Sequence, residues 1–109
     1  MAEIVWTVPA LNDLEAIAEY IALDNRNASV RLVRLVFAHV EELAKHPLLG
    51  PRIPELLPAS RYRQVVEPPC RVFYRYEKNT DRVFILGVIR GEKLFQKRLL
   101  HRKGSDSFG

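Results

Sequence analysis

The spacing of apolar residues changes from helical to strand-like part-way along the chain, and this change limits the folds that the sequence can adopt. Apolar residues recur every three or four positions between residues 11 and 44, whereas after residue 61 they fall in short alternating segments. A proline-rich segment separates the two halves. Because 109 residues leave room for one domain with one core, the halves must pack together. The order of helical and strand-like segments predicts an α+β fold, in which a helical hairpin packs on a small, mainly antiparallel sheet.

The first half predicts one strand and two helices. The strand covers residues 3–7, and Pro9 suits the first turn of the following helix, where its missing N–H costs least. The second helix begins near Asn27, a residue type that caps helices. The predicted buried stripes are Leu11, Leu14, Ile17, Ala18 and Ile21 in the first helix and Val30, Val33, Phe37, Val40 and Ala44 in the second.

The second half predicts three strands, at residues 62–66, 71–76 and 82–89, joined by turns as an antiparallel meander. The third is apolar nearly throughout, which is typical of a central strand. Five proline and glycine positions between Pro47 and Pro58 exclude regular structure there, and so long a loop in a small domain is often functional. Residues 92–102 form a possible short basic helix, with Leu94, Phe95, Leu99 and Leu100 turned inward. The predicted order is therefore β-α-α-β-β-β with a possible C-terminal helix, and the sheet face opposite the hairpin is expected to be free for binding.

Positive charge is concentrated in the second half of the chain. Residues 1–60 contain five Lys or Arg against eight Asp or Glu, whereas residues 61–109 contain twelve against five. The net charge of +4 thus combines −3 in the first part with +7 in the second. This asymmetry favours docking to an anionic partner, either a nucleic acid or an acidic protein segment.

Arginines alternate with other residues on two of the predicted strands. Arg61 and Arg63 share a face of one strand, and Arg71 and Arg75 share a face of the next, because side chains alternate with period two. Unpaired guanidinium groups are costly to bury, so these faces are expected to point outward or into a polar cleft. They form either a solvated surface or, since arginine matches phosphate geometry, an anion-binding surface. The aromatic residues among them suit core packing better than base stacking.

Other kinds of site are not indicated. The three histidines are scattered and Cys70 has no partner at ligand spacing, so neither a metal nor a cofactor is predicted. Glu55, in the proline-rich segment, is the candidate acid–base group, because arginine is a poor proton shuttle. The single cysteine and the lack of a signal-like or membrane-spanning stretch predict a cytoplasmic protein. We expect one domain over residues 1–103 and a flexible tail over residues 104–109.

Several short motifs occur along the chain in a specific order and spacing. They are Ile4-Val5-Trp6-Thr7, Ala10 with Asp13-Leu14-Ile17-Tyr20-Ile21, His46-Pro47 with Gly50, Pro54-Glu55-Leu56 with Tyr62-Arg63, Arg71-Val72-Phe73-Tyr74, and Ile85-Leu86-Gly87-Val88-Ile89-Arg90-Gly91. Over about residues 3–95 the chain resembles the RelE/ParE superfamily, the toxins of bacterial toxin–antitoxin pairs once grouped as plasmid stabilisation proteins. The Trp6 strand, the proline-containing loop and the Val-Ile-Arg-Gly end look more like the ParE branch.

The resemblance implies the RelE/ParE-like fold and a toxin that causes growth arrest. It also implies a cognate antitoxin of the ParD or RelB type, whose disordered C-terminal segment folds over the toxin in a hetero-oligomer. ParE-like members are taken to poison DNA gyrase, and this is the first hypothesis. RelE-like members cut messenger RNA in the ribosomal A site, and this is the alternative. An interaction module without toxicity is a third possibility.

The resemblance also assigns candidate site residues. In a nuclease, Glu55 would match the general base of the YoeB branch and Arg71 would contact phosphate. Where a nuclease offers Tyr or His after the last strand, this chain has Arg90 and then Phe95, and Phe95 cannot transfer a proton. The predicted catalytic residues of a nuclease are Glu55, Arg71 and Arg90, and the predicted target-binding residues are Arg63, Arg71, Arg75, Arg90 and Lys93.

Overall fold

A computed structural model describes residues 1–91 and 93–104, so Glu92 and all of the predicted tail except Gly104 lie outside the described residues. The elements are β1 (Glu3–Trp6), α1 (Val8–Ala22), α2 (Arg26–Glu41), a 3₁₀ turn (Glu42–Ala44), β2 (Tyr62–Glu67), β3 (Cys70–Glu77), β4 (Arg82–Arg90) and a 3₁₀ helix (Lys97–His101). The predicted α+β fold and its order are confirmed. The possible C-terminal helix is a 3₁₀ helix of five residues.

The four strands form one sheet in the order β1-β4-β3-β2. Strands β2, β3 and β4 are the predicted antiparallel meander, and β1 joins β4 in parallel. The central position predicted for β4 is confirmed, because β1 and β3 flank it. Strand β1 pairs only with Arg82–Ile85, so within the described part of the chain no strand lies beside the second half of β4 on the β1 side.

The two helices form a hairpin that covers one face of the sheet. Thr7 joins the hairpin to the sheet, since its hydroxyl accepts from the Ala10 N–H and donates to the carbonyl of Ile85. Helix α2 is capped by Asn25, whose side chain accepts from the Ala28 N–H at 3.0 Å. The prediction that Asn27 is the cap is wrong, because α1 and α2 are separated by a three-residue link and α2 already includes Asn27.

The buried stripe of α2 differs by one position from the predicted stripe. Its buried residues are Ser29, Leu32, Val36 and Val40, whereas Val30 is 51% exposed and Phe37 is 38% exposed. Apolar residues cover more than half of the helix circumference, so two stripes have helical spacing and tertiary packing selects between them. The selected stripe includes Ser29, whose small side chain donates a hydrogen bond of 2.6 Å to the Ala18 carbonyl of α1.

The second face of the sheet is also covered, and the prediction that it is free for binding is wrong. Its core contains Phe73, Phe84 and Leu86 from the strands, Ile53 from the proline-rich segment and Leu100 from the C-terminal segment. Leu56, Phe95 and Leu99 pack against this core, whereas Leu94 is 87% exposed and does not turn inward as predicted. The physical reason is that β4 carries apolar side chains on both faces, so both faces need cover.

The proline-rich segment is irregular, as predicted, but it is held firmly against the sheet. The Tyr74 hydroxyl donates to the Pro47 carbonyl at 2.9 Å and accepts from the Gly50 N–H at 3.0 Å. The Gln64 N–H donates to the Pro51 carbonyl at 2.9 Å. A Cβ atom at Gly50 would overlap the Gln64 carbonyl oxygen, so this close approach requires glycine. Further along the segment, Ile53 and Leu56 pack on the second-face core, so this part of the segment forms part of the wall of that face.

Candidate target-binding surfaces

Arg71 is the centre of a cluster on the second face of the sheet. Its guanidinium donates to both carboxylate oxygens of Glu55, at 2.7 and 2.9 Å, and to the Gln64 amide oxygen at 2.8 and 3.0 Å. It also lies 5.1 Å from the ring centroid of Phe73 and 6.0 Å from that of Phe95. Hydrogen bonding to Arg71 lowers the pKa of Glu55. Arg71 thus ties the proline-rich segment to β3, and its side chain is only 16% exposed.

Arg75 is buried and does not point outward, so of the two expected placements, outward or into a polar cleft, the first is wrong. Its side chain is 8% exposed and lies 4.3 Å from the ring centroid of Phe84. The guanidinium donates to Glu77 at 3.1 Å, and hydrogen bonds from Thr80 and then from Arg75 lower the pKa of that carboxyl. A buried arginine is tolerated here because a carboxylate and an aromatic face replace its contacts with water.

Arg63 lies on the opposite face of the sheet from Arg71 and Arg75. It pairs across the strands with Tyr74, which belongs to the core beneath the helices, and paired residues point to the same face. Its guanidinium donates to the Gly50 carbonyl at 2.9 Å. The pairing register therefore places Arg63 and Arg71 on different faces of the sheet, so the arginines of the two strands do not form one surface.

Arg90 and Lys93 line a groove at the end of β4. The groove has a volume of about 610 Å³ and lies between α1 and the second half of β4, where β1 has already ended. Its floor is apolar, with Ile17 and Val88 among its lining residues. The Arg90 guanidinium lies 4.5 Å from the ring centroid of Tyr20, and Lys93 is exposed. Of the predicted target-binding residues, the structure brings only these two together.

A carboxylate that was not assigned a role from the sequence closes one end of this groove. Asp13 accepts from both Nη atoms of Arg102, at 2.7 and 2.9 Å, and from the Val88 N–H at 3.0 Å. Arg102 also donates to the Leu86 carbonyl at 2.8 Å. These bonds satisfy the edge of β4 where no strand pairs with it. The only sequence signal was Asp13 itself, a polar residue that belongs to one of the family-like motifs.

Ion pairs neutralise much of the positive charge in the second half of the chain. Arg71, Arg75, Arg82 and Arg102 each pair with a carboxylate among the described residues. Arg52, Arg61 and Arg63 form no such pair with a described residue. Part of the remaining basic surface therefore lies along β2.

The remaining sequence expectations concern metals and membranes. The described part of the chain contains no group of three or more His, Cys, Asp or Glu side chains placed to hold a metal ion. Within residues 1–91 and 93–104, no helix is both long and apolar enough to cross a membrane.

The hairpin, the sheet and the segment after β4 together correspond to one known family. Residues 4–95 match the model of the ParE toxin of the type II toxin–antitoxin system, parDE. The chain belongs to the ParE toxin family. The matched residues of this ParE-family chain run from β1 through both helices and all four strands to Phe95.

Two solved structures share the fold of this ParE-family chain. A chain of the chromosomal ParDE toxin–antitoxin system from P. aeruginosa is 25% identical with a TM-score of 0.67, and the match covers 84% of this chain and 98% of that one. A chain of the RelBE2 toxin–antitoxin complex from Mycobacterium tuberculosis is 20% identical with a TM-score of 0.55, and the match covers 82% and 96%. The second likeness concerns the fold alone. No curated protein sequence matches the chain.

Proposed function

We propose that this member of the ParE toxin family poisons DNA gyrase in the cytoplasm and does not cleave RNA. The observation that carries the proposal is the state of Glu55, the candidate general base. Both of its oxygens accept hydrogen bonds from Arg71, and this interaction lowers the pKa of the carboxyl. A general base works best when its pKa lies near the working pH, so this pairing makes Glu55 less basic.

The surroundings of Arg71 also support a role without acid–base chemistry. Among the described residues, its guanidinium donates hydrogen bonds to Glu55 and Gln64 and lies near the rings of Phe73 and Phe95. Neither the amide nor the two phenyl rings can protonate a leaving oxygen. Gyrase poisoning requires no proton transfer from the toxin, because gyrase itself performs the DNA chemistry.

The histidine that follows the last strand lies at the other end of the second face. His101 packs edge-on against Tyr62, with ring centroids 5.6 Å apart. Arg71 pairs with Val66, four residues along β2 from Tyr62, and its guanidinium extends toward Gln64. Among the described residues, no hydrogen bond or ring contact joins His101 to Arg71. General acid catalysis needs a separation of about 3 Å from the reacting atom, so this placement favours a non-nuclease function.

We further propose that the groove around Arg90 and Lys93 contacts the target, and that an acidic segment of a cognate antitoxin neutralises the toxin by covering it. The two solved relatives come from toxin–antitoxin systems. In this chain the groove combines an apolar floor with two cationic side chains. An acidic amphipathic segment complements both properties.

The experiment compares the wild type with Glu55→Gln in three assays: supercoiling by purified gyrase, gyrase-dependent DNA breaks and cleavage of ribosome-bound mRNA. Both proteins should inhibit gyrase or promote breaks and leave mRNA intact, because the proposal gives Glu55 no chemical role. Glu15→Gln, on the exposed side of α1, is the matched control for loss of one carboxylate. Codon-specific mRNA cleavage that is lost in Glu55→Gln would establish the nuclease alternative instead.

A further inference from the structure

A second cavity lies between the proline-rich segment and the C-terminal 3₁₀ helix. It has a volume of about 370 Å³, which is within the range of small-ligand sites. Its walls include the side chains of Leu56, Leu57 and Leu100. Its polar lining residues are Ser60, Tyr62, Lys97 and His101, and none of the lining residues is acidic. The cavity therefore suits a ligand that has an apolar, planar part and a negative charge.

Two aromatic rings form one side of this cavity. Tyr62 and His101 meet edge to face, with an angle of 86° between their planes. The Arg61 guanidinium lies 5.3 Å from the centroid of the Tyr62 ring. Flat rings beside a guanidinium are the contacts that unpaired nucleobases use, because every base has a face that can stack.

Hydrogen-bond donors surround the same opening. The Ser60 hydroxyl accepts from the Tyr62 N–H, so its own proton is available to donate. Lys97 and Arg61 are exposed and form no ion pair with a described residue. These groups can donate hydrogen bonds to an anion and attract it by their positive charge. None of them is a carboxylate, which would repel an anion.

Two more arginines lie at the edge of β2 beside the cavity, although Arg63 points to the opposite face of the sheet from Tyr62, so a strand that contacts both must cross this edge. Arg52 and Arg63 form an isolated antiparallel bridge, which places their backbones side by side at this edge. Arg52 donates to the Pro58 carbonyl at 2.6 Å and Arg63 to the Gly50 carbonyl at 2.9 Å. These carbonyl bonds hold both side chains without neutralising their charge. Arginines that form no ion pair with a described residue, beside an aromatic slot, have the composition of a surface that follows a nucleic-acid backbone.

We propose that the cavity and the β2 edge bind a single-stranded nucleic-acid segment, with one base in the cavity and its neighbouring phosphates on the arginines. This site is separate from the Arg71 cluster and from the groove at Arg90. Single strands fit better than duplexes, because a duplex keeps its base faces stacked. An acidic peptide is the competing occupant, and the experiment below distinguishes it.

The test measures fluorescence anisotropy of a labelled ten-residue oligothymidylate with purified toxin over a range of salt concentrations. The edge variant carries Arg52→Gln, Arg61→Gln and Lys97→Gln, three exposed side chains. The control variant carries Arg26→Gln, Arg31→Gln and Arg34→Gln, three exposed arginines of α2 that remove the same charge. Circular dichroism checks that both remain folded.

We expect the edge variant to bind at least tenfold more weakly, and the salt dependence of its binding to fall by about 0.7 per lost phosphate contact. The control should change affinity by less than about threefold, because its arginines lie outside the site. His101→Ala should weaken binding at least about fivefold through lost stacking. Equal losses in the edge and control variants would overturn the proposal in favour of general electrostatic attraction.

Two further outcomes would also overturn it. One is a duplex of the same sequence that binds as tightly as the single strand, since the cavity would then have no role. The other is a ten-residue oligoglutamate that displaces the oligonucleotide at lower concentration, since the surface would then be a peptide site. Gyrase inhibition is measured separately on the same wild-type protein, so failure of the proposed function and failure of this site give different results.

Discussion

The ion pair between Arg71 and Glu55 joins two parts of the chain that are 16 residues apart. Its two hydrogen bonds are short and bidentate, although the Glu55 side chain is 44% exposed. Solvent screening limits what such a pair contributes, to about 1 kcal/mol or less. Because the folded-state pKa of Glu55 is lowered, this contribution is present above the ordinary pKa of 4.5 and is lost as the pH falls through the folded value.

At the residue scale, we therefore predict that Glu55→Gln lowers the free energy of unfolding at pH 7 by about 1 kcal/mol or less, and that this difference shrinks below pH 4.5. Urea denaturation of both proteins at pH 7 and at pH 4 measures it. Glu15→Gln is again the control, since Glu15 forms no ion pair with a described residue. A difference that is constant or grows toward low pH would show that Arg71 does not stabilise the Glu55 carboxylate.

At the element scale, the C-terminal segment depends on a glycine in β4. A Cβ atom at Gly87 would overlap the Leu99 side chain and approach Arg102 to 2.9 Å. Leu99 packs on the second-face core, and Arg102 binds Asp13 across the end of β4. The absence of a side chain at Gly87 thus allows the C-terminal segment to cover the sheet.

We predict that Gly87→Ala lowers the free energy of unfolding by about 1–3 kcal/mol, the usual cost of overpacking. It should also speed cleavage by trypsin after Lys97 and Arg98, because the segment is pushed away from β4. Leu99→Ala in the same chain removes the overlap with Leu99. The double variant should therefore lose less free energy of unfolding than the two single variants lose together. Additive effects in urea denaturation would mean that Leu99 is not the group displaced.

At the scale of the whole molecule, ion pairing leaves the positive charge of the second half on only part of the surface. The acidic residues of the chain neutralise four arginines of the second half, and the groove between α1 and β4 keeps Arg90 and Lys93 among its lining residues. An antitoxin segment that covers this groove would be attracted by long-range charge as well as by the apolar floor. Salt screens attraction between exposed charges over about 8–10 Å at physiological ionic strength.

We predict that the toxin binds its proposed cognate antitoxin less tightly as salt rises, and that Arg90→Gln with Lys93→Gln weakens binding and reduces its salt dependence. The reduction should appear mainly in the association rate, which charge complementarity controls. Surface plasmon resonance at several salt concentrations measures both quantities. Arg31→Gln with Arg34→Gln, on α2, is the charge-matched control. An equal effect of the two double variants would place the antitoxin elsewhere.

The sequence by itself determined the elements and their order. Apolar spacing, turn residues and prolines act over a few neighbouring positions, so they predicted both helices, all four strands and the irregular segment at Pro47–Pro58. The same local motifs carried the resemblance to the family that residues 4–95 match. The observed ends of the elements differ from the predicted ends by a residue or two, since helix and strand ends are the least sharply defined positions. The choice of Asn25 over Asn27 as the cap and of one stripe over the other on α2 depends on small energy differences.

Only the tertiary structure decided what each arginine does and which surfaces are open. Arg75 is buried against Phe84 and pairs with the partly exposed Glu77, Arg71 is bound to Glu55, and Arg63 lies on the opposite face. The contact between Asp13 and Arg102 joins residues 89 positions apart. Local spacing specifies the direction of a side chain relative to its own strand, but strand register and the folding back of distant segments determine which group meets it there.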